Sequence, residues 1–219
     1  NVITLPDGSP IYAGTYHTTS QWNDILKRII RLKKDNYDGL KDIAENVKNG
    51  VKDINTIQKQ EEISDFDSEF LKKNIEAWEE KWDSKFGGDI AQQKFVSPSK
   101  YLFLLNYARV YNDEKVLNHV KNTLDIISSS GLNDFVEGGF YRYTVDNEWK
   151  IPHFEKMLYD QAQMISLFSS AYKVFGDESY KNIVDETITF LNTKMSSKDG
   201  LYFAAMDADT DGEEGKYYS

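Results

Sequence analysis

Arg109-Val110-Tyr111-Asn112-Asp113-Glu114 and Lys173-Val174-Phe175-Gly176-Asp177-Glu178 are two versions of one junction, set 64 residues apart. Ahead of each copy lies a segment apolar nearly all round, Tyr101 to Tyr111 in the first and residues 157 to 175 in the second. Behind each, an aspartate opens an amphipathic segment. Val116, Leu117, Val120, Leu124 and Ile127 follow Asp113; Tyr180, Ile183, Val184, Ile188 and Leu191 follow Asp177. A helix apolar on every side is buried on every side, whereas an amphipathic one faces water. The repeat therefore predicts helix pairs in an inner and an outer layer. One pair cannot cover its own inner helix, so neighbours must stack beside it. The long connection after each outer helix suits an α/α-toroid better than a solenoid with short turns.

Working outward, Gly139-Phe140-Tyr141 and Gly200-Leu201-Tyr202 repeat at an offset of 61. Upstream, Phe70, Leu71, Ile75, Trp78 and Trp82 stripe a helix expected to end at Gly87-Gly88, and Ser97-Pro98 opens the next. Residues 54 to 66 are polar and read as a linker. The first 18 residues read as a hairpin, because Pro6-Asp7-Gly8-Ser9-Pro10 supplies turn dihedrals between two β-like runs. A helix capped at Thr19 or Ser20 follows, expected to run to about residue 53, with Gly39 as its weak point. On its core stripe lie Leu26, Ile29, Ile30, Tyr37, Leu40, Ala44 and Val47. The expected division is thus 1–55, a linker at 56–66, and helical hairpins over 67–219. Both ends look cut: the chain opens in a strand-like run without Met, and Gly215 to Ser219 reads as entering a strand.

Acids outnumber bases by 36 to 26, a net charge of −10, and no basic tract is present. Such a surface repels phosphate backbones and anionic lipids, so neither nucleic acid nor a membrane is the expected partner. With no cysteine, this stretch holds no disulfide and no thiolate chemistry. A cytoplasmic location is the expectation.

Two loops carry the candidate chemistry. The first, residues 137–160, gathers Tyr141, Arg142, Trp149, His153 and Glu155, with Asp146, Glu148 and Asp160, over the entrance of a buried helix. An imidazole there serves as acid or base near neutral pH, with Glu155 placed to orient it. The second, residues 205–215, holds Asp207, Asp209, Asp211, Glu213 and Glu214. It matches the first half of a calcium loop, but the twelfth position, which needs a bidentate carboxylate, is Tyr218. No metal and no cofactor is therefore expected. The carboxylates instead suit sugar hydroxyls or acid–base work at the mouth of the toroid. A plain solvated acidic turn is the competing reading. His119 aligns with Ile183 in the repeat and is expected to be structural; His17 has no acid or nucleophile near it in sequence.

The same residues carry a family resemblance. Gly138-Gly139-Phe140-Tyr141-Arg142-Tyr143, Asp146, Trp149 and the run Pro152 to Asp160 resemble a signature of the YyaL family, also called spermatogenesis-associated protein 20-like. Asp207-Ala208-Asp209 with Gly212-Glu213-Glu214-Gly215-Lys216 is similar to its second signature. Leu5 to Pro10 with Gly14-Thr15-Tyr16 is similar to the end of its thioredoxin-like domain, and Asp83, Gly87-Gly88 and Lys94-Phe95 to the entry of its first helical hairpin. Glu137, Gln93 and Met206 depart from the pattern. The resemblance implies a mostly α chain, an internal fragment. It would be a partial (α/α)6 toroid, six-hairpin glycosidase-like, preceded by the C-terminal β-hairpin and helix of a thioredoxin-like domain. It also implies a carbohydrate-active protein, a sugar epimerase or isomerase or a glycoside hydrolase. His153, Glu155, Asp207 and Asp209 would be catalytic, and Tyr141, Arg142, Trp149, Glu213 and Glu214 would bind a small carbohydrate. The alternative is a non-catalytic scaffold that positions a thioredoxin-like redox domain. A partial toroid leaves inner helices uncovered, so self-association is expected.

Overall fold

A computed structural model describes residues 1–56 and 68–218. The chain falls into two compact units, Asn1–Asp65 and Phe66–Ser219. Most of the expected linker lies outside the described residues.

The first unit opens with the expected antiparallel hairpin, β1 (Val2–Thr4) against β2 (Pro10–Ala13). The single long helix expected next is two helices, α1 (Thr19–Asp35) and α2 (Tyr37–Asn55). Thr18 and Gln21 form a capping box at the start of α1. The break falls at Asn36, not Gly39. Asn36 closes α1 through its backbone N–H to Leu32, and its side chain then accepts the Gly39 N–H at 2.9 Å to cap α2. A Cβ on Gly39 would lie 2.5 Å from the Asn36 amide, so the glycine makes room for the cap rather than breaking a helix. Of the expected stripe, Leu40 and Ala44 are buried, while Ile30 and Tyr37 are exposed.

The second unit contains the repeated hairpins. After α3 (Ser68–Glu79) come α4 (Pro98–Tyr111) with α5 (Glu114–Ser128), then α6 (Leu158–Phe175) with α7 (Glu178–Lys194). The junction shared by the two copies has one physical basis. Asn112 and Gly176 end their helices in the left-handed conformation, at φ 53° and 67°. Asp113 and Asp177 then cap the next helices by accepting the N–H of Val116 and Ser179. α4 packs on both α5 and α6, and α6 on α7. Leu104, Leu105, Val120, Leu167, Phe168 and Tyr180 lie in the resulting core. Burial all round is not reached on α4: Val110 is 72% exposed and Phe103 39%, because α5 and α6 cover only part of its surface. α3 stops at Glu79, short of Gly87-Gly88, with Ile75 its one buried residue and Phe70 and Trp78 exposed. The expected closing strand is a 3-10 turn, Lys216–Tyr218.

Gly87-Gly88 belongs to a structural device that the chain builds twice. Asp83 accepts the N–H groups of Lys85 and Phe86 and donates its own N–H to Gly88, closing a tight turn. Lys94 then donates to the Asp83 carboxylate at 2.7 Å and to the Gly87 carbonyl at 2.6 Å. Asp134 repeats this with Val136, Glu137 and Gly139, clasped by Lys156 through the Asp134 carboxylate and the Gly138 carbonyl. The Lys156 and Asp134 side chains are 2% and 1% exposed. Burial, the largest single influence, pushes both carboxyls up, but the lysine ammonium together with the turn's backbone N–H groups, and at Asp134 the Tyr218 hydroxyl, outweighs it and holds them below the usual carboxylate range.

Removing one partner of such a buried pair strands the other charge, at about 3–5 kcal/mol. Asp134→Ala should therefore lower unfolding free energy by about that amount in a urea titration. A carboxylate whose pKa is depressed by folding stabilises above its unfolded pKa, and the contribution is lost as acid titrates the folded group. The wild-type urea midpoint should accordingly fall as pH drops below about 4, and less steeply in Asp134→Ala.

Candidate active site

The first loop is shaped by Asp146. Its carboxylate accepts the N–H of Glu148 at 2.7 Å and those of Lys150 and Ile151, with Trp149 held at φ 63° inside the turn. These donors outweigh the burial that would push the carboxyl up and hold it low. The turn folds β4 (Tyr143–Thr144) back on β5 (Pro152–His153), with β3 (Lys94–Phe95) on the other side of β4. His153 thus emerges directly opposite Tyr143, the two rings stacked at 4.8 Å.

The second loop is two short ladders. β7 (Ala205–Met206) pairs with β6 (Lys156–Met157), and β8 (Asp209–Thr210) pairs with β9 (Glu213–Glu214). Asp211 and Gly212 both adopt positive φ, the conformation of a two-residue hairpin turn that matches strand twist. The half calcium motif is therefore a β-hairpin. Among the described residues no group of three or more His, Asp or Glu is arranged to hold a metal ion.

The loops meet. His153 Nδ1 donates to Glu214 Oε1 at 2.7 Å, and the Phe154 N–H donates to the same oxygen at 3.3 Å. Gly215 lies against the Phe154 ring so closely that a Cβ would come within 2.6 Å. With Nδ1 carrying its proton toward a carboxylate, Nε2 keeps a lone pair able to accept one. Nε2 stands 4.0 Å from Glu155 Oε2, which already accepts from Arg142 Nη1 at 2.8 Å. The contact expected of Glu155 thus belongs to Glu214, while Glu155 anchors Arg142.

Beside this junction lies a cavity of about 270 Å³ whose lining includes Glu137, Phe154, Lys156, Lys194, Asp207 and Tyr217. Asp207 is solvent-exposed there and accepts the Asp209 N–H at 3.3 Å. Asp209 and Glu213 are exposed on their hairpin, Glu213 within 3.5 Å of Lys216. Tyr141 and Trp149 depart from their expected substrate-binding role. Tyr141 is 5% exposed, packed edge-on to Phe154 and Tyr218 under the Lys156 ammonium. Trp149 is 1% exposed, donates its indole N–H to the Phe86 carbonyl at 2.8 Å and covers Gly88. Both are core residues on a loop, and aromatic loop composition alone does not separate core from cleft. Lys156, Lys194, Glu137 and Tyr217 line the cavity without having been expected there. The recurrence of Lys94-Phe95 as Lys156-Met157 is a signal for Lys156 alone; Glu137, Lys194 and Tyr217 carry none.

His119 is structural, as expected. It stacks on Trp82 at 4.0 Å, and burial pulls its imidazole down to about 4, which keeps it neutral. A larger groove, about 530 Å³, lies within the first unit; its lining is mostly aliphatic and contains no histidine. Among the described residues no helix is long and apolar enough to cross a membrane.

No family model matches the chain. Human spermatogenesis-associated protein 20 is 29% identical over 99% of this chain, and an uncharacterised protein of Caenorhabditis elegans is 31% identical over 96%. The chain spans about three tenths of the length of these relatives. Among solved structures, a sugar epimerase from a ruminal bacterium superposes with a TM-score of 0.55 at 22% identity, covering 65% of this chain and 41% of its own. Cellobiose 2-epimerase of Bacillus thermoamylovorans superposes with 0.54 at 16% identity, over 64% and 40%. The relatives bear out the resemblance read from the signature residues: homologues of this chain are named spermatogenesis-associated protein 20. The helical hairpins have the α/α-toroid fold of the sugar epimerases.

Truncating a buried aromatic costs about 3–5 kcal/mol. Trp149→Ala should lower unfolding free energy by about that much in urea, whereas Asp209→Ala, on the exposed hairpin, should change it by less than about 0.5 kcal/mol.

Proposed function

We propose that this chain, a homologue of spermatogenesis-associated protein 20 with the helical fold of sugar epimerases, contributes the acid–base site of a carbohydrate-active enzyme. The reaction is an epimerisation or isomerisation of a small sugar, or a glycoside hydrolysis, in the cytoplasm. The reading rests above all on the hydrogen bond from His153 to Glu214, which joins two loops distant in sequence into one acid–base pair at the end of a toroid helix.

Epimerising a sugar beside its carbonyl means removing a proton from carbon and returning it on the other face. The group that does so must change protonation near neutral pH, and imidazole is the side chain suited to it. In this reading Nε2 of His153 takes the proton on one face, the planar enediolate turns within the site, and the same imidazolium returns the proton to the other face, while Glu214 fixes the tautomer and stabilises the imidazolium between the two transfers. Asp207 from the cavity and Asp209 from the exposed hairpin beside it accept hydrogen bonds from sugar hydroxyls, and Arg142, steadied by Glu155, donates to them. In the same reading the hairpin and helices of residues 1–55 are the tail of a thioredoxin-like domain.

Turnover of cellobiose by the full-length protein tests the assignment. His153→Ala should lower kcat by about 10²–10⁴, the usual worth of a positioned acid–base group. Glu214→Gln should lower it more than Glu155→Gln does. Undiminished turnover in His153→Ala removes His153 from the mechanism.

A further inference from the structure

The cavity of about 270 Å³ adjoins the acid–base pair without containing it. Neither His153 nor Glu214 lines it, but their chain neighbours, Phe154 and Gly215, do. A sugar ring seated in the cavity is therefore beside the imidazole, and its carbons are not the ones that the imidazole reaches. Pockets for whole drug-sized ligands run to about 300–1,000 Å³, so this one has room for a single sugar ring.

Two ammonium groups belong to the cavity wall, and they differ. Lys156 is 2% exposed and is spent on Asp134 and the Gly138 carbonyl. Lys194 is 45% exposed, and among the described residues it donates to one acceptor, Glu137 Oε1, at 2.5 Å. An ammonium carries three N–H donors, so Lys194 keeps donors for a ligand. Glu137 is itself fixed. Its side chain is 9% exposed, and the same oxygen accepts the Tyr217 hydroxyl at 2.7 Å. A solvent-screened ion pair adds little stability; what this one does is hold an ammonium at the wall. Asp207 supplies the complement. It is exposed, and among the described residues its carboxylate accepts one hydrogen bond, from the Asp209 N–H, which leaves acceptor capacity open. The Phe154 and Tyr217 rings add apolar faces. Donors, an acceptor and apolar faces around one small volume are the usual make-up of a ligand subsite.

We propose that this cavity seats the non-reacting ring of a disaccharide, held by Lys194 and Asp207, while the reacting ring lies at His153. The substrate is then a disaccharide or a longer chain, and a free monosaccharide leaves the cavity empty. This assignment rests on the carbohydrate reading above and on His153 as its acid–base group; the separation of the cavity from the imidazole does not. Contacts to a part of the substrate that does not react still raise kcat/KM, because they bind it and orient the part that does.

Turnover of cellobiose, lactose and maltose by the full-length protein, set against glucose and mannose, tests the assignment. In the wild type kcat/KM for the best disaccharide should exceed that for either monosaccharide by about tenfold or more, the worth of one hydrogen bond to a charged group. Lys194→Met should remove most of that preference, and because the side chain is exposed the substitution does not put folding at stake. A wild type that turns over a monosaccharide as well as any disaccharide overturns the proposal and leaves the carbohydrate reading standing. A Lys194→Met variant that keeps the full preference, or that loses both kinds of sugar equally, overturns it too, since Lys194 would then touch neither ring or the reacting one. Failure of the wild type to turn over any of the five sugars overturns the carbohydrate reading and this assignment with it.

Discussion

A lysine ammonium cannot remain inside an apolar interior unless an anion and further acceptors surround it, because leaving water is so unfavourable for a charge. This constraint organises the second unit. Lys94 and Lys156 are drawn inward onto Asp83 and Asp134, and each aspartate has already bent its own backbone into a tight turn. Every remaining acceptor is a glycine carbonyl, and the following glycines, Gly88 and Gly139, sit at φ 72° and 78° in close contact with Trp149 and Phe190. Each lysine is the first residue of a two-residue strand whose pairing leads into the next loop. The clasp thus sets where each loop starts and which way it runs.

The candidate site inherits its geometry from the second clasp. Lys156 is the anchor of β6, β6 pairs with β7, and β7 leads into the acidic hairpin that brings Glu214 to His153. Tyr218 closes the circuit by donating to the Asp134 carboxylate at 2.6 Å and stacking on Phe154. Rigid support of this kind is what a loop-built site needs, since loops left to themselves do not hold a proton-transfer geometry. The first clasp, built from the same residue types around Lys94, has Trp149 in the place nearest its glycine. The repeat therefore separates what the device does for the fold from what its second copy adds.

The helix pairs were legible because period, cap and left-handed terminus all recur at one offset, and local and global preferences agree there. Asp113 and Asp177 act as the caps the pattern implied. The α1–α2 break is hard to place from sequence because Gly39 reads as the helix breaker, whereas Asn36, which terminates one helix and caps the next, looks like any polar helix residue. The two loops were legible as places for chemistry but not as arrangements. Nothing in the local sequence tells that Glu214 rather than the nearby Glu155 reaches His153, because that choice is made by strand pairing across about 50 residues. Trp149 and Tyr141 misled for a related reason. An aromatic ring on a loop looks the same in sequence whether it meets a ligand or seals a turn.

The most direct test of the account is the tautomer of His153, read from the imidazole nitrogen shifts in a long-range proton–nitrogen spectrum above pH 8, where free imidazole is neutral. If Glu214 binds His153 as described, the wild type shows the Nδ1–H form and Glu214→Ala reverts to the Nε2–H form of an unconstrained ring. An Nε2–H form in the wild type, or a spectrum indifferent to Glu214→Ala, would mean that the two loops do not share an acid–base pair.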